Sequence, residues 1–232
     1  MYWRQVNFLN DLNYDIDYTL PDEWASSVGN MKLILIRHGE TPLNRERKVQ
    51  GITDIELNDT GLRQAHQLAL SLKDHEIHQI YSSPLKRAYK TAEAINQFHD
   101  VPIHRRNGLM EMDQGDFEGL SFQELMACEK DFLRRWIADP ATIKMPNGES
   151  FIEVQERAWK AIEDIIMHPE IALVVSHNFT IAAILCKIKG VDLAQFRSAC
   201  VETASKTIVR FTNGVAKIDL FNDRSHLDDG NL

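Results

Sequence analysis

The stretch Leu33-Ile34-Leu35-Ile36-Arg37-His38-Gly39-Glu40-Thr41 decides the fold class. Four consecutive apolar residues give a strand, which stops at an arginine, a histidine and a glycine. Gly39 lets the chain turn with no side chain in the way. In an open α/β sheet such strand ends line the ligand crevice. A histidine there is placed to act as a nucleophile, and an adjacent arginine suits a phosphoryl group. A packed, hydrogen-bonded histidine beside a surface arginine is the competing reading of that dipeptide, and the rest of the chain decides between them.

Strands and helices alternate from Met31 onward. Asn58 or Thr60 caps a helix whose face carries Leu62, Ala65, Ala69 and Leu72. Residues 77–82 read as a strand. Ser83-Pro84 then predicts a helix start, with the serine as cap, the proline at the first helical position and Arg87 in the first turn. Ser150 and Glu153 form a capping box for a helix that buries Val154, Ala158, Ala161, Ile162 and Ile165. Residues 171–175 are a continuous apolar strand of the kind buried on both faces of a parallel sheet. It ends at Ser176-His177-Asn178, with a helix following from about Thr180. Asn213-Gly214, between residues 207–211 and 215–221, marks a β-hairpin and an antiparallel edge.

The fold expected is α/β, a three-layer sandwich with a mostly parallel central sheet, an antiparallel edge strand and a short helical cap. Residues 1–30 are acidic and aromatic and read as an N-terminal extension, through either an upstream start or a loosely docked arm. Residues 31–232 form the domain.

With 232 residues, 44% apolar and 26% charged, the composition is that of an ordinary globular chain. No apolar run is long enough to span a bilayer, and no basic start with an apolar core marks a secretory signal. Cys128, Cys186 and Cys200 are an odd number at wide spacing, which reads as reduced structural thiols and a cytoplasmic location. A net charge of −8 argues against nucleic acid as a partner, though a few converging arginines can still make one cleft positive. The terminal hairpin offers an edge for pairing with a second copy, so a homodimer stays open.

Two strands therefore end in histidine, His38 and His177, and a third leads to Arg87. In a parallel sheet these ends share one rim, where helix N-termini add partial positive charge for an anion. Four blocks now resemble the histidine phosphatase superfamily, the phosphoglycerate mutase-like proteins. They are Arg37-His38-Gly39-Glu40-Thr41 with Asn44 and Gln50-Gly51; residues 82–92, which hold Ser83-Pro84 and Arg87; Leu109-Met110-Glu111 with Gly115, Glu118 and Gly119; and Val174-Val175-Ser176-His177. The resemblance runs over residues 31 to about 225.

The resemblance implies that His38 attacks phosphorus through an unprotonated nitrogen, the other nitrogen donating to a backbone carbonyl. It implies that Arg37, Arg87 and His177 hold the non-bridging oxygens, with Asn44 as a neutral donor and Thr41, Gln50 and Gly51 on the substrate side. Glu111 would protonate the leaving oxygen and then deprotonate water. No metal or other cofactor is implied, since the arginines and a histidine supply the positive charge, and the partner expected is a small phosphomonoester.

The cofactor-dependent mutases of that family carry a longer insertion after the acid loop. Here residues 120–147 form only a short cap containing Phe122, Leu125, Met126, Phe132, Leu133, Trp136 and Ile137. Shorter enclosure favours water entry, and apolar lining favours a less charged leaving group, so a phosphatase is expected. The alternatives are a 2,3-bisphosphoglycerate-dependent mutase and a non-catalytic phospho-ligand binder. Trp136 and Trp159 read as core. Asn178 departs from the family's usual glycine after His177. Asparagine tolerates left-handed backbone, so the turn survives, with a shifted His177 or a narrowed pocket as its consequence.

Overall fold

Period-two alternation sends Leu33 and Leu35 to one face of the first long strand and Ile34 and Ile36 to the other. None of the four is more than 1% exposed. In the computed structural model, which describes residues 17–19, 29–168 and 171–227, this strand lies inside a seven-stranded sheet of order β1-β7-β6-β2-β5-β3-β4. The strands are β1 (Asp17–Thr19), β2 (Met31–Arg37), β3 (Gln79–Ser82), β4 (Ile103–Arg105), β5 (Ile171–Ser176), β6 (Lys206–Thr212) and β7 (Val215–Asp223).

Strands β2, β5, β3 and β4 run parallel. On the other side β6, β7 and β1 pair antiparallel, so the antiparallel part is three strands wide and not a single edge strand. The hairpin turns at Asn213 and Gly214, both with positive φ (50° and 77°), as the Asn-Gly pair requires. Within the N-terminal extension, residues 17–19 add the outermost strand to β7, and Tyr18 packs on the core. No alternation flagged this strand, because three residues are too few to show a period.

Helices cover both faces. Helices α2 (Asp59–Leu72) and α3 (Lys86–Asn96) bury Leu68, Leu72, Ala88, Ala92 and Ile95 against Ile34, Ile36 and Leu173. Helices α6 (Phe151–Ile166) and α7 (Asn178–Lys189) cover the opposite face. The short α1 (Pro42–Glu46) follows β2, and α4 (Phe122–Cys128) and α5 (Lys130–Ala138) make up the cap. Helix α6 starts on the Ser150–Glu153 capping box and buries all five residues expected of it. No helix among the described residues is long and apolar enough to cross a membrane.

Two local expectations fail. Leu62 is 46% exposed, and Leu68 with Gln64 completes the inner face of α2 instead. Ser83 does not cap α3: the helix begins at Lys86, whose N–H donates to Asp54 Oδ1 at 2.7 Å. Ser83 is engaged elsewhere, as described below.

The N-terminus of α2 docks on the turn after β2. Asn58 caps it, with Gly61 N–H donating to its Oδ1, and Asn58 Nδ2 donates to Glu40 Oε1. A Cβ on Gly61 would lie 2.0 Å from the Glu40 carbonyl oxygen, and one on Gly39 would lie 2.5 Å from that of Gly61. Neither glycine has positive φ, so both are needed for close backbone approach. Gly61→Ala is expected to cost about 1–3 kcal/mol through overpacking, read as a lowered denaturant midpoint with unchanged slope.

Candidate active site

The register of the parallel strands sets the site. Arg37 on β2 is level with Ser176 on β5, and His38 N–H continues the ladder to the Ser176 carbonyl at 3.1 Å. On the other side of β5, Ser82 pairs with Val175, and Ser83 N–H donates to the Val175 carbonyl at 3.0 Å. Three strand ends thus deliver Arg37-His38, Ser176-His177 and Ser83 to one rim. The His38 and His177 ring centroids lie 5.0 Å apart.

A cleft of about 530 Å³ opens over this rim. Arg37, His38, Asn44, Gln50, Gly51, Arg87 and Glu111 line it, and among the nine histidines of the chain only His38 does. His177 and Thr41 are fully buried beneath its wall.

His38 Nδ1 lies 2.7 Å from the Gly39 carbonyl oxygen. A carbonyl only accepts, so Nδ1 carries the proton and Nε2 keeps its lone pair. Burial, then Arg87 and Arg37, hold the His38 ring well below the usual histidine range. His177 is lowered the same way by burial and by Arg87, and its Nε2 pairs with Ser83 Oγ at 2.8 Å. Both folded-state values lie below the unfolded value of about 6.5, so the stability these neutral rings confer is complete above that pH. It is lost as pH falls from there toward the folded values. Thermal melts between pH 8 and 5 are expected to show Tm falling below pH 6.5, with a shallower slope in His177→Gln.

Arg87 is fully buried. Its Nη1 donates to the Thr53 carbonyl at 2.9 Å and its Nη2 to that of Gly51 at 2.8 Å. The single Thr41 hydroxyl proton goes to Asn44 Oδ1, so Gln50 turns its amide N–H to that hydroxyl and its oxygen to Arg87 Nε at 3.1 Å. These contacts leave an Nη2 N–H for a ligand. Burial brings Arg87 down to about 10, so it stays charged at neutral pH. Arg37 donates from Nη1 to the Val201 carbonyl, while its Nε is enclosed with no hydrogen-bond partner. Burial pushes the Cys200 thiol up to about 11, so no thiolate forms nearby at neutral pH.

Glu111 is 8% exposed and sits at the N-terminus of α7, where Oε1 accepts from Thr180 N–H at 3.3 Å and Oε2 from Phe179 N–H at 3.4 Å. Met112 N–H also donates to Oε1, at 2.9 Å.

Two supporting residues were not singled out from the sequence. Arg157 on α6 makes a two-bond ion pair with Glu149 and donates to the carbonyls of Gly108, Met110 and Glu111, all at 2.8–2.9 Å. It fixes the loop that presents Glu111. An arginine spaced three and four residues from the buried Val154 and Ala161 was the available signal. Glu118, read only as part of a motif, accepts from the backbone of Ile52 at 2.6 Å and Thr53 at 2.8 Å. It thereby shapes the loop whose carbonyls hold Arg87, and a Cβ on Gly51 would collide with it.

The left-handed turn expected at Asn178 is absent. Asn178 is the first residue of α7, it has no positive φ, and its Oδ1 accepts from Val201 N–H at 2.9 Å. The asparagine therefore fixes the segment whose carbonyl holds Arg37.

One wall of the cleft is apolar, with Phe122, Leu125, Leu133 and Trp136 from the cap facing the charged floor. Trp136 is thus both core and cleft lining, and Trp159 is core alone. The lining also holds Arg45, Arg47, Lys48, Glu202, Thr203 and Arg224.

A histidine locked in one tautomer beside the buried Arg87 and the half-buried Arg37, with a carboxyl group on the same cleft, defines a phosphoryl-transfer type of site. Residues 33–224 match the histidine phosphatase superfamily, branch 1. Phosphoserine phosphatase 1 of Hydrogenobacter thermophilus is 33% identical over 77% of this chain and 86% of its own length. A protein named probable phosphoglycerate mutase GpmB, of Proteus mirabilis, is 31% identical over 86% and 96%. The solved structure of Bacillus stearothermophilus YhfR superposes with a TM-score of 0.79 at 30% identity, covering 84% of this chain and 98% of that one. The chain belongs to the histidine phosphatase superfamily, and its activity is of that family's phosphatase and mutase type.

Proposed function

We propose that the protein hydrolyses small phosphomonoesters through a phosphohistidine at His38, without a metal ion. The observation that carries this reading is the Nδ1–Gly39 hydrogen bond, which leaves Nε2 of a neutral, buried imidazole as the nucleophile. In the first step Nε2 forms a bond to phosphorus as the ester P–O bond breaks, and Glu111 gives its proton to the departing oxygen. In the second step water attacks phosphorus, its proton passes to Glu111, the P–N bond breaks and inorganic phosphate leaves. Arg37 and Arg87 hold the non-bridging oxygens, assisted by Asn44, and supply the charge that a metal would otherwise bring, while His177, which does not line the cleft, sits behind the His38 ring and is held by Ser83. Gln50, Gly51 and Thr41 act behind them by fixing Arg87 and Asn44.

Hydrolysis is favoured over phosphoryl return to substrate because two short helices form the cap, leaving water a path to the phosphoenzyme. The apolar cap wall favours an uncharged leaving group over phosphoglycerate. The test is phosphate release from a panel of phosphomonoesters with and without EDTA, beside a mutase assay with 3-phosphoglycerate and 2,3-bisphosphoglycerate. EDTA-insensitive release without isomerisation is expected. Efficient isomerisation with little release would make the protein a mutase, and phosphate binding with neither reaction would make it a binder.

A further inference from the structure

Gln114 is an unexplained polar residue in the cleft. It is 5% exposed, it lines the cleft, and its amide nitrogen is enclosed with no hydrogen-bond partner. Native proteins keep few such groups, because a buried amide without a partner is destabilising. Methionine would fill the same volume without that penalty, so packing alone gives no reason for a glutamine.

Its position is fixed. The flanking backbone is pinned by Asp113 N–H to Glu149 Oε2 at 2.9 Å and Gly115 N–H to Asp113 Oδ1 at 2.8 Å. Gln114 N–H faces Glu118 Oε1 at 3.4 Å, and a Cβ on Gly51 would lie 2.8 Å from the Gln114 nitrogen. Gln114 therefore stands where the loop holding Arg87 meets the acid loop, three residues after Glu111. The same cleft lining includes the apolar Phe117, Leu125 and Met145.

We propose that Gln114 is a specificity-determining residue whose side-chain amide hydrogen-bonds an oxygen of the leaving group. The substrate class is a phosphomonoester whose leaving alcohol is uncharged and largely apolar and carries a hydroxyl or carbonyl oxygen beyond the scissile bond. Rotation about the last side-chain torsion lets the amide present either its N–H or its oxygen. A site built around one such bond rejects an analogue lacking the oxygen, because the amide then stays unpaired. This inference rests on the hydrolase reading.

The experiment compares kcat/KM for benzyl phosphate with its 3-hydroxy and 4-hydroxymethyl derivatives, whose leaving alcohols are otherwise closely similar. Wild type is expected to prefer one hydroxylated ester by about tenfold. Gln114→Leu and the more nearly isosteric Gln114→Met are both expected to collapse that ratio. Wild-type ratios near one overturn the inference whether or not the variants fold. A ratio unchanged in either folded variant overturns it as well, and a lowered Tm with that unchanged ratio would make Gln114 a packing residue. His38-dependent hydrolysis without the preference sinks this inference alone, whereas absence of any His38-dependent hydrolysis sinks the hydrolase reading and this one with it.

Discussion

His38→Ala is expected to lower phosphate release by about 10⁴-fold or more across all substrates. The size of the effect follows from what remains. Arg37 and Arg87 are anchored by the carbonyls of Val201, Gly51 and Thr53, and none of these contacts involves the imidazole. The variant keeps an anion site, so inorganic phosphate should still bind while no phosphoenzyme forms. The folding penalty is modest because the ring makes one hydrogen bond, to its neighbour's carbonyl, and releases a desolvated group. Circular dichroism and a phosphate titration separate lost chemistry from lost structure. In wild type, a rapid quench with labelled substrate should trap an acid-labile, base-stable phosphoryl group that the variant lacks. A folded His38→Ala protein that keeps a tenth of the wild-type rate would remove the phosphohistidine from the mechanism.

What the sequence made legible was local and periodic. Residues 33–36 and 171–175 are long enough apolar runs to declare strands, and Asn213-Gly214 and Ser150–Glu153 carry their turn and cap chemistry within four residues. Because both apolar strands end at a histidine, one assumption of parallel pairing sufficed to bring His38 and His177 together, and the register does so. The unread features depend on partners far away in sequence. Asp54 takes over the start of α3 across 32 residues, leaving Ser83 to His177 across 94. Arg157 reaches the acid loop across 46 to 49 residues. Leu62 shares the helical face of α2 but lies at its margin, where α2 docks through Gly61 and Gln64. Strand β1 depends on an unpaired edge of β7 that no local pattern reveals.

Glu111→Gln is expected to be the second largest effect and the more diagnostic one. For an alkyl phosphomonoester, kcat/KM should fall by about 10²–10⁴-fold, the usual contribution of a positioned general acid. The substitution keeps the shape, and the amide oxygen can retain the Met112 and Thr180 N–H donors that orient the carboxyl group now. Arg157 continues to hold the backbone through the Glu111 carbonyl, so the loop should not move. The decisive comparison is with 4-nitrophenyl phosphate, whose leaving oxygen departs without a proton. The first step should then lose little, and the deficit should move to hydrolysis of the phosphoenzyme, where Glu111 acts as base. A burst of nitrophenol followed by slow turnover is the expected trace. Equal losses on both esters with no burst would show that Glu111 orders the site without carrying a proton, and the acid would have to be sought among the other groups on the cleft.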